Sequence, residues 1–344
     1  MNIMVFDVPA ESVGALSILE EFYNDALLDK NNNYFFIVSK PKLKSKENVK
    51  VIRFPWIKRS PVHRIYFELF IANKVTSKYS IDKIVSLQNL IIPRVTVKQE
   101  IYIHNAIPLS KTKFDLIKFP KLWFYQNVYK HLMQYSIKKA DKIYVQTKWM
   151  KREIETFVKD NKKIIIKAPN INNNLITNSH TTIKNKGKLL FFYPSSGFVF
   201  KNHEVILKAC YFMNKSLFNH FEIIFTLDPN ENKYTKRLYN YSIYNKLPIV
   251  FTGMLSKEEV FNYYGKSILI FPSLIESFGL PLVEAMSKKC KIIAAKLPYS
   301  EELLSSYNHK SLFNPLDAST LKEILENEVS LYLKDLKEDD DIED

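Results

Sequence analysis

Short apolar runs alternate with helical patterns along the whole chain, and the alternation breaks off once, near the middle, before it resumes. In the first half the runs that read as strands are 3–6, 34–38, 49–52, 83–86, 101–104, 142–146 and 163–166. Helical patterns lie between several of them, at 12–28, 61–77, 121–139 and 148–158. Strand–helix alternation predicts parallel sheets covered by helices. Residues 168–187 are rich in Asn and Thr, lack apolar periodicity, and read as a linker. The second half restarts with strands at 188–193, 221–226, 249–251, 268–271 and 291–295, and helices at 202–213, 230–244, 257–265, 280–288 and 318–333. The expected organisation is an N-terminal domain over 1–170, a linker over 171–187, and a C-terminal domain over 188–334. An acidic tail over 335–344 reads as disordered, because it is a run of like charge. Helix 318–333 is a candidate for crossing back to the first domain. Open α/β sheets bind ligands beyond the carboxyl ends of their strands. Two doubly wound domains facing a central cleft therefore suit an enzyme with two substrates.

With 344 residues, 46% of them hydrophobic, the chain can fill two cores. Its net charge of +14 is unevenly spread. Residues 1–170 hold 30 Lys/Arg against 15 Asp/Glu, or +15, and residues 171–344 hold 20 against 21, or −1. Such a field favours an anionic partner, either a phospholipid leaflet or a nucleic acid. Cys210 and Cys290 form no metal-ligand spacing and fit buried roles in a reducing compartment. The N-terminus reads as a strand rather than a signal peptide, and no run reaches the roughly 18 apolar residues of a membrane span. The expectation is a cytoplasmic protein, with the inner face of the plasma membrane as a candidate site of peripheral attachment.

The most informative stretch is FPSLIESFGLPLVEAM, residues 271–286. An apolar run leads into a loop with Glu276, and a Ser-Phe-Gly turn opens a helix. Pro281 stands in its first turn, where a missing N–H costs nothing. Gly279 allows close approach of a ligand to the backbone, and a helix N-terminus attracts phosphate. Glu276 and Glu284 flank this anion site, eight residues apart. Carboxylates beside phosphate make sense when they accept hydrogen bonds from sugar hydroxyls, one from a hexose and one from a ribose.

Residues 276–285, ESFGLPLVEA, resemble the Glu-x7-Glu signature of glycosyltransferase family 4, retaining enzymes of the GT-B fold with two Rossmann-like domains. The likeness covers the C-terminal half and is weaker before it. It implies that Glu276 contacts the donor sugar and Glu284 the ribose. Backbone at Ser277, Phe278, Gly279 and Leu280 would meet the sugar and diphosphate. SSGFVFKNHEVILKA, residues 195–209, resembles the segment that binds the donor diphosphate, with Lys201 as its basic residue. Ser196 and Gly197 stand near the place of the usual arginine, and Asn202 and His203 shape the helix start. Lys201 would neutralise the departing diphosphate. FTGMLS, residues 251–256, implies nucleotide-base contact through Gly253, Met254 and Leu255, while Ser256 with Glu259 reads as a capping box.

The resemblance assigns the acceptor to the first half, where Gly14, His104 and Asn105 are the candidates. His104 is also a candidate catalytic residue beside the donor sugar, with Lys201 and Glu276. Residues 118–141 mix aromatics with lysines on a helical pattern, which suits an anionic membrane surface. Trp149 and Met150 read as packing. The implied reaction moves a hexose-type sugar from a UDP- or GDP-sugar to a glycan or polyprenyl-diphosphate-linked acceptor, with retention, in bacterial surface polysaccharide synthesis of the O-antigen or capsule kind. No Asp-x-Asp stands at a strand end, so no essential metal or other cofactor is expected. Two competing readings are a nucleotide-sugar 2-epimerase of the same fold and a basic nucleic-acid-binding protein. The first lacks a convincing acid–base set and the second any recognisable motif.

Overall fold

The computed structural model describes residues 1–10, 13–169 and 187–343. The chain divides into two compact units, Met1–Asn170 and Ile171–Asp344. The linker expected at 171–187 lies outside the described residues, apart from Gly187.

The first unit carries seven strands: β1 Asn2–Asp7, β2 Asn33–Val38, β3 Val49–Arg53, β4 Lys83–Ser86, β5 Lys98–Ile103, β6 Lys142–Val145 and β7 Ile164–Ile166. All pair in parallel, in the order β3-β2-β1-β4-β5-β6-β7. Met4, Val5 and Phe6 are buried in succession, as in a strand covered on both faces. Alternate side chains feed opposite layers. Ile3 and Val5 pack with Leu19, Tyr23 and Ala26 of helix Val13–Leu28. Met4 and Phe6 pack with Phe67, Ala72 and Val75 on the other face.

The second unit repeats the plan with β8 Leu189–Tyr193, β9 Phe221–Phe225, β10 Ile249–Phe251, β11 Ile268–Phe271, β12 Ile292–Ala295 and β13 Lys310–Phe313. Its parallel order is β10-β9-β8-β11-β12-β13. In each sheet the order reverses at the first strand, between β1 and β4 and between β8 and β11. That is the strand order of Rossmann sheets, and the crevice at the reversal is where such sheets bind ligands.

Most expected elements are present, two further ones appear, and three differ in form. Strand β13 and helix Pro298–Leu303 carried no signal, being short and, for β13, half polar at the sheet edge. The helices over 61–78 and 120–139 each contain a π-helical turn, at Phe67–Ile71 and Tyr125–Tyr129. The tail expected to be disordered over 335–344 is corrected: helix Ala318–Glu343 runs through it. Extending an existing helix adds a hydrogen bond per residue with no new nucleation, and that outweighs carboxylates at the unfavourable end of the dipole. This helix lies against helix His203–Phe212 within its own unit, where Glu326 accepts from the Asn214 N–H at 2.9 Å. Cys210 and Cys290 are buried and free, and Trp149 and Met150 pack in the core as read. No helix among the described residues is long and apolar enough to cross a membrane.

Candidate functional site

At the reversal point of the second sheet, the loops leaving β8 and β11 bring together two residues 75 positions apart. Lys201 Nζ lies 2.5 Å from Glu276 Oε1, with both side chains largely enclosed at 16% and 14% exposure. Several local contacts fix the pair. The Tyr193 hydroxyl, at the end of β8, donates to the Lys201 carbonyl at 2.7 Å. The Leu274 N–H donates to the Phe200 carbonyl at 2.8 Å, joining the two loops directly. Asn202 adopts the left-handed conformation (φ 59°), which Asn tolerates better than most residues. From there its side-chain amide donates to the carbonyls of Pro272 and Pro315 at 3.3 and 2.9 Å. His203 is fully buried, with Nε2 2.8 Å from Ser195 Oγ. Burial, and then the charge of Lys201, push its pKa down to about 3, so the ring is neutral. Asn202 and His203 thus shape the helix start, as the sequence implied.

The second element is the start of helix Leu280–Ser287. Gly279 precedes it with φ 96°, a conformation costly for any residue with a Cβ. The N-cap, Gly279, has no side chain with which to cap this end, and Pro281 supplies no N–H. The Leu282 N–H donates to the Gly279 carbonyl at 2.9 Å, and the helix start carries the positive end of its dipole. Phe278 and Leu282 anchor the turn in the core. Glu276 leads into this turn already balanced by Lys201, so its charge does not repel an incoming phosphate as a lone carboxylate would. One helical turn on, Glu284 accepts from the Tyr264 hydroxyl at 3.2 Å. Burial raises the Glu284 pKa, while that hydrogen bond and Lys257 oppose the rise.

The remaining second-unit candidates differ in availability. Ser196 is exposed, and Ser277 is half-buried. Gly197 is buried, and a Cβ there would lie 2.3 Å from Thr235 Cγ2. Its carbonyl accepts from the Asn232 amide at 3.1 Å, so packing against the cap of helix Lys233–Tyr244 explains this glycine. Gly253 (φ 74°) donates its N–H to the Leu227 carbonyl at 3.1 Å. Met254 beside it is 91% exposed and Leu255 half-buried. This loop leaves β10, two strands from β8 and three from β11 in the sheet order. Ser256 and Glu259 form the expected capping box.

In the first unit, Gly14 lies in the first turn of helix Val13–Leu28. His104 follows β5, and its N–H and that of Asn105 both donate to Asn89 Oδ1, at 2.8 and 2.9 Å. The His104 Nδ1 is sealed from solvent without a partner, and desolvation pushes the ring's pKa down to about 4. Asn105 spends its own side-chain oxygen on the Ile107 N–H at 3.0 Å. Sequence reading missed Asp7, at the end of β1. It is buried, with Oδ1 accepting from the Ala10 N–H and Oδ2 unpartnered. Burial raises its pKa to about 7, against the nearby Arg64 and Lys58. An Asp ending the first apolar run was its only signal. Tyr264 was also missed, since nothing local in a helix marks a partner twenty residues on.

Two parallel sheets of Rossmann order, one with an ion pair just before a helix N-terminus at its reversal point, define a tandem α/β architecture of the GT-B type. Residues 177–338 match the family model described as Glycosyl transferases group 1, so most of the second unit is a group 1 glycosyltransferase domain. A curated relative, the serotype-specific mannosyltransferase WbdA of Escherichia coli, is 23% identical over 142 residues. That match covers 40% of this chain and only 17% of WbdA, so the chain spans a small part of that relative. Among solved structures, WaaG, a glycosyltransferase involved in lipopolysaccharide biosynthesis, aligns with a TM-score of 0.75 at 10% identity, over 96% of this chain and 90% of its own. Anabaena HepE in complex with UDP and glucose aligns with a TM-score of 0.67 at 14% identity, over 98% and 91%.

Proposed function

We propose that this protein is a retaining glycosyltransferase of family 4 that moves a hexose-type sugar from a nucleoside-diphosphate sugar to a glycan or lipid-linked acceptor at the cytoplasmic side of a bacterial membrane. The observation that carries the reading is the Lys201–Glu276 pair at the β8/β11 reversal, just before the helix that Gly279 opens. A diphosphate placed against the N–H groups of Leu280 and its neighbours takes over the Lys201 ammonium. Glu276, released from that contact, turns its oxygens to the sugar hydroxyls. Glu284 holds the ribose. As the glycosidic bond breaks, negative charge grows on the leaving phosphate, and Lys201 and the helix dipole meet it. The acceptor hydroxyl attacks from the face the diphosphate leaves and gives its proton to the departing phosphate. No protein nucleophile and no metal ion takes part. The family match of the second unit supports the transfer chemistry, and the HepE complexes make a uridine nucleotide the first donor base to test.

The test is donor titration of the full chain by calorimetry with a panel of UDP- and GDP-sugars, with and without EDTA. One nucleotide sugar should bind, with EDTA making no difference, and free nucleotide should accumulate only when an acceptor is added. Nucleotide release without acceptor, or binding that Gly279→Val leaves intact, sinks the proposal.

A further inference from the structure

The loop that carries Lys201 also leaves a phenylalanine in water. Phe198 is 54% exposed. A single exposed apolar residue means little by itself. This ring, however, lies flat on a second one: Phe198 and Phe200 are stacked, with centroids 5.4 Å apart and planes 7° apart. Stacking uses one face of Phe198 and leaves more than half of the residue open.

The backbone pins this stack to the ion pair. The Gly197 carbonyl, just before Phe198, accepts from the Asn232 amide at 3.1 Å. The Phe198 carbonyl accepts from the Lys201 N–H at 2.9 Å, so ring and lysine belong to one turn. The Phe200 carbonyl accepts from the Leu274 N–H at 2.8 Å, which ties the turn to the loop bearing Glu276. Phe200 is half-buried, and Lys201 Nζ lies 5.8 Å from its ring centroid.

We propose that Phe198 is an acceptor-binding residue, a stacking surface for the pyranose ring that receives the transferred sugar. The inference rests on the glycosyltransferase reading and on the retention in it. In front-face transfer the attacking hydroxyl comes in beside the leaving phosphate. The acceptor sugar therefore lies next to the diphosphate, not across the donor sugar from it. Lys201 meets that diphosphate, and Phe198 stands in the same turn. The C–H groups of a pyranose pack against an aromatic face, while its hydroxyls stay at the edge, in water or on polar neighbours.

Other occupants fit less well. A nucleotide base also stacks on aromatic rings, but the loop that the resemblance gives to the base, at Gly253, leaves β10, two strands from β8. An alkyl chain needs a continuous apolar track. Among the described residues of this loop, Phe198 is the only large apolar side chain exposed.

The test is saturation-transfer difference NMR of the full chain, loaded with UDP or GDP, against methyl α-mannoside, methyl α-glucoside and methyl β-galactoside. At least one glycoside should receive saturation, strongest on the C–H groups of one ring face. Phe198→Ala should raise its dissociation constant about fivefold or more. Phe198→Leu should do the same, since it keeps apolar bulk and loses the flat ring. Phe198→Trp should bind at least as tightly as the wild type. Tyr244→Ala, at an exposed tyrosine of the same unit, should change nothing. Melting curves and nucleotide affinity should match the wild type throughout. The inference is overturned if Phe198→Ala binds the glycoside like the wild type, which places the sugar elsewhere, or if Phe198→Leu does, which reduces the contact to apolar bulk. It is equally overturned if Phe198→Ala weakens nucleotide binding, the mark of a stacked base. Nucleotide binding without glycoside saturation in the wild type removes this inference alone. A wild type that binds neither nucleotide removes the glycosyltransferase reading and this inference with it.

Discussion

The two sheets share one strand order, and their reversal points are furnished in opposite ways. In the second unit the loops after β8 and β11 bring Lys201 and Glu276 into contact shortly before the helix that Gly279 opens. Opposite charges are matched there, both side chains largely enclosed. In the first unit the loops after β1 and β4 carry a buried acid, Asp7, and amides turned inward. Asn89 caps the backbone of His104, and Gln88 ties Glu68 to the neighbouring helix. One backbone plan thus supports an internal ion pair in one unit and, in the other, inward amides beside two buried polar atoms without partners, Asp7 Oδ2 and His104 Nδ1. The difference lies in which groups stand at the strand ends: a salt-bridged pair of opposite charges in the second unit, a single buried acid and neutral amides in the first. The surplus charge follows the same division, with +15 in the first 170 residues and −1 in the rest.

The most severe way to break this comparison is to remove the matched charge. Lys201→Ala should lower turnover roughly 10²–10³-fold, the usual cost of losing a donor aimed at developing charge, while donor affinity falls less. Glu276→Gln leaves Lys201 enclosed without its counter-charge, which is destabilising in itself. A melting curve must therefore accompany its kinetics. His104→Ala should cost less than either. A larger loss from His104 than from Lys201 would move the chemical weight to the first unit and reverse the comparison.

A smaller effect separates the units by pH. The folded pKa of Asp7, about 7, lies above the roughly 3.9 of an unfolded chain, so the folded state binds the extra proton between these values. The stability Asp7 confers is complete below pH 4 and lost as pH rises to 7. His203 runs the other way. Its folded pKa of about 3 lies below the ordinary value near 6.5, so its stability is present above pH 6.5 and lost as pH falls towards 3. Asp7→Asn should therefore stabilise the first unit by about 2–4 kcal/mol at pH 8 and hardly at all at pH 4. Because Trp56, Trp123 and Trp149 all lie in the first unit, tryptophan fluorescence reads that unit alone. The low pKa of His104 is common to both proteins and cancels in the difference. An Asp7→Asn advantage that is the same at both pH values would show that Asp7 ionises freely.

Legibility followed the same division. The strand alternation located nearly every parallel strand, because strands covered on both faces must be apolar throughout. The second-unit site was legible because its residues sit in one strand–turn–helix segment, where spacing alone sets Glu276, Gly279 and Glu284 around one helix start. The Lys201–Glu276 contact spans 75 residues and was reachable only through the family resemblance. Gly197 read as a ligand contact, whereas its packing against Thr235 supplies a reason that no local pattern reveals. In the first unit, Asp7 and the Gln88–Asn89 pair stayed hidden, since their roles come from burial and from partners 15 to 57 residues away. Helix Ala318–Glu343 outran its forecast because charge composition says little about a helix that is already nucleated.

The finest test concerns how far the second unit's readiness depends on its own internal partners. Glu284 is shielded from water, which raises its pKa, and the Tyr264 hydroxyl holds part of that rise back. Only the carboxylate form accepts hydrogen bonds from both hydroxyls of a ribose, so donor binding should weaken as pH falls through the Glu284 pKa. Tyr264→Phe removes one hydrogen bond, and with it the one influence that most lowers this pKa. Donor affinity should drop about fivefold, the worth of roughly 1 kcal/mol, and the acid limb of the binding profile should move to higher pH. Glu284→Gln should abolish that limb and leave a weak, pH-independent affinity. Calorimetric titration of UDP across pH 5–8 reads all three proteins. If Tyr264→Phe weakens binding equally at every pH, the tyrosine supports the helix packing alone, and the carboxylate's charge state is set by the donor rather than by the fold.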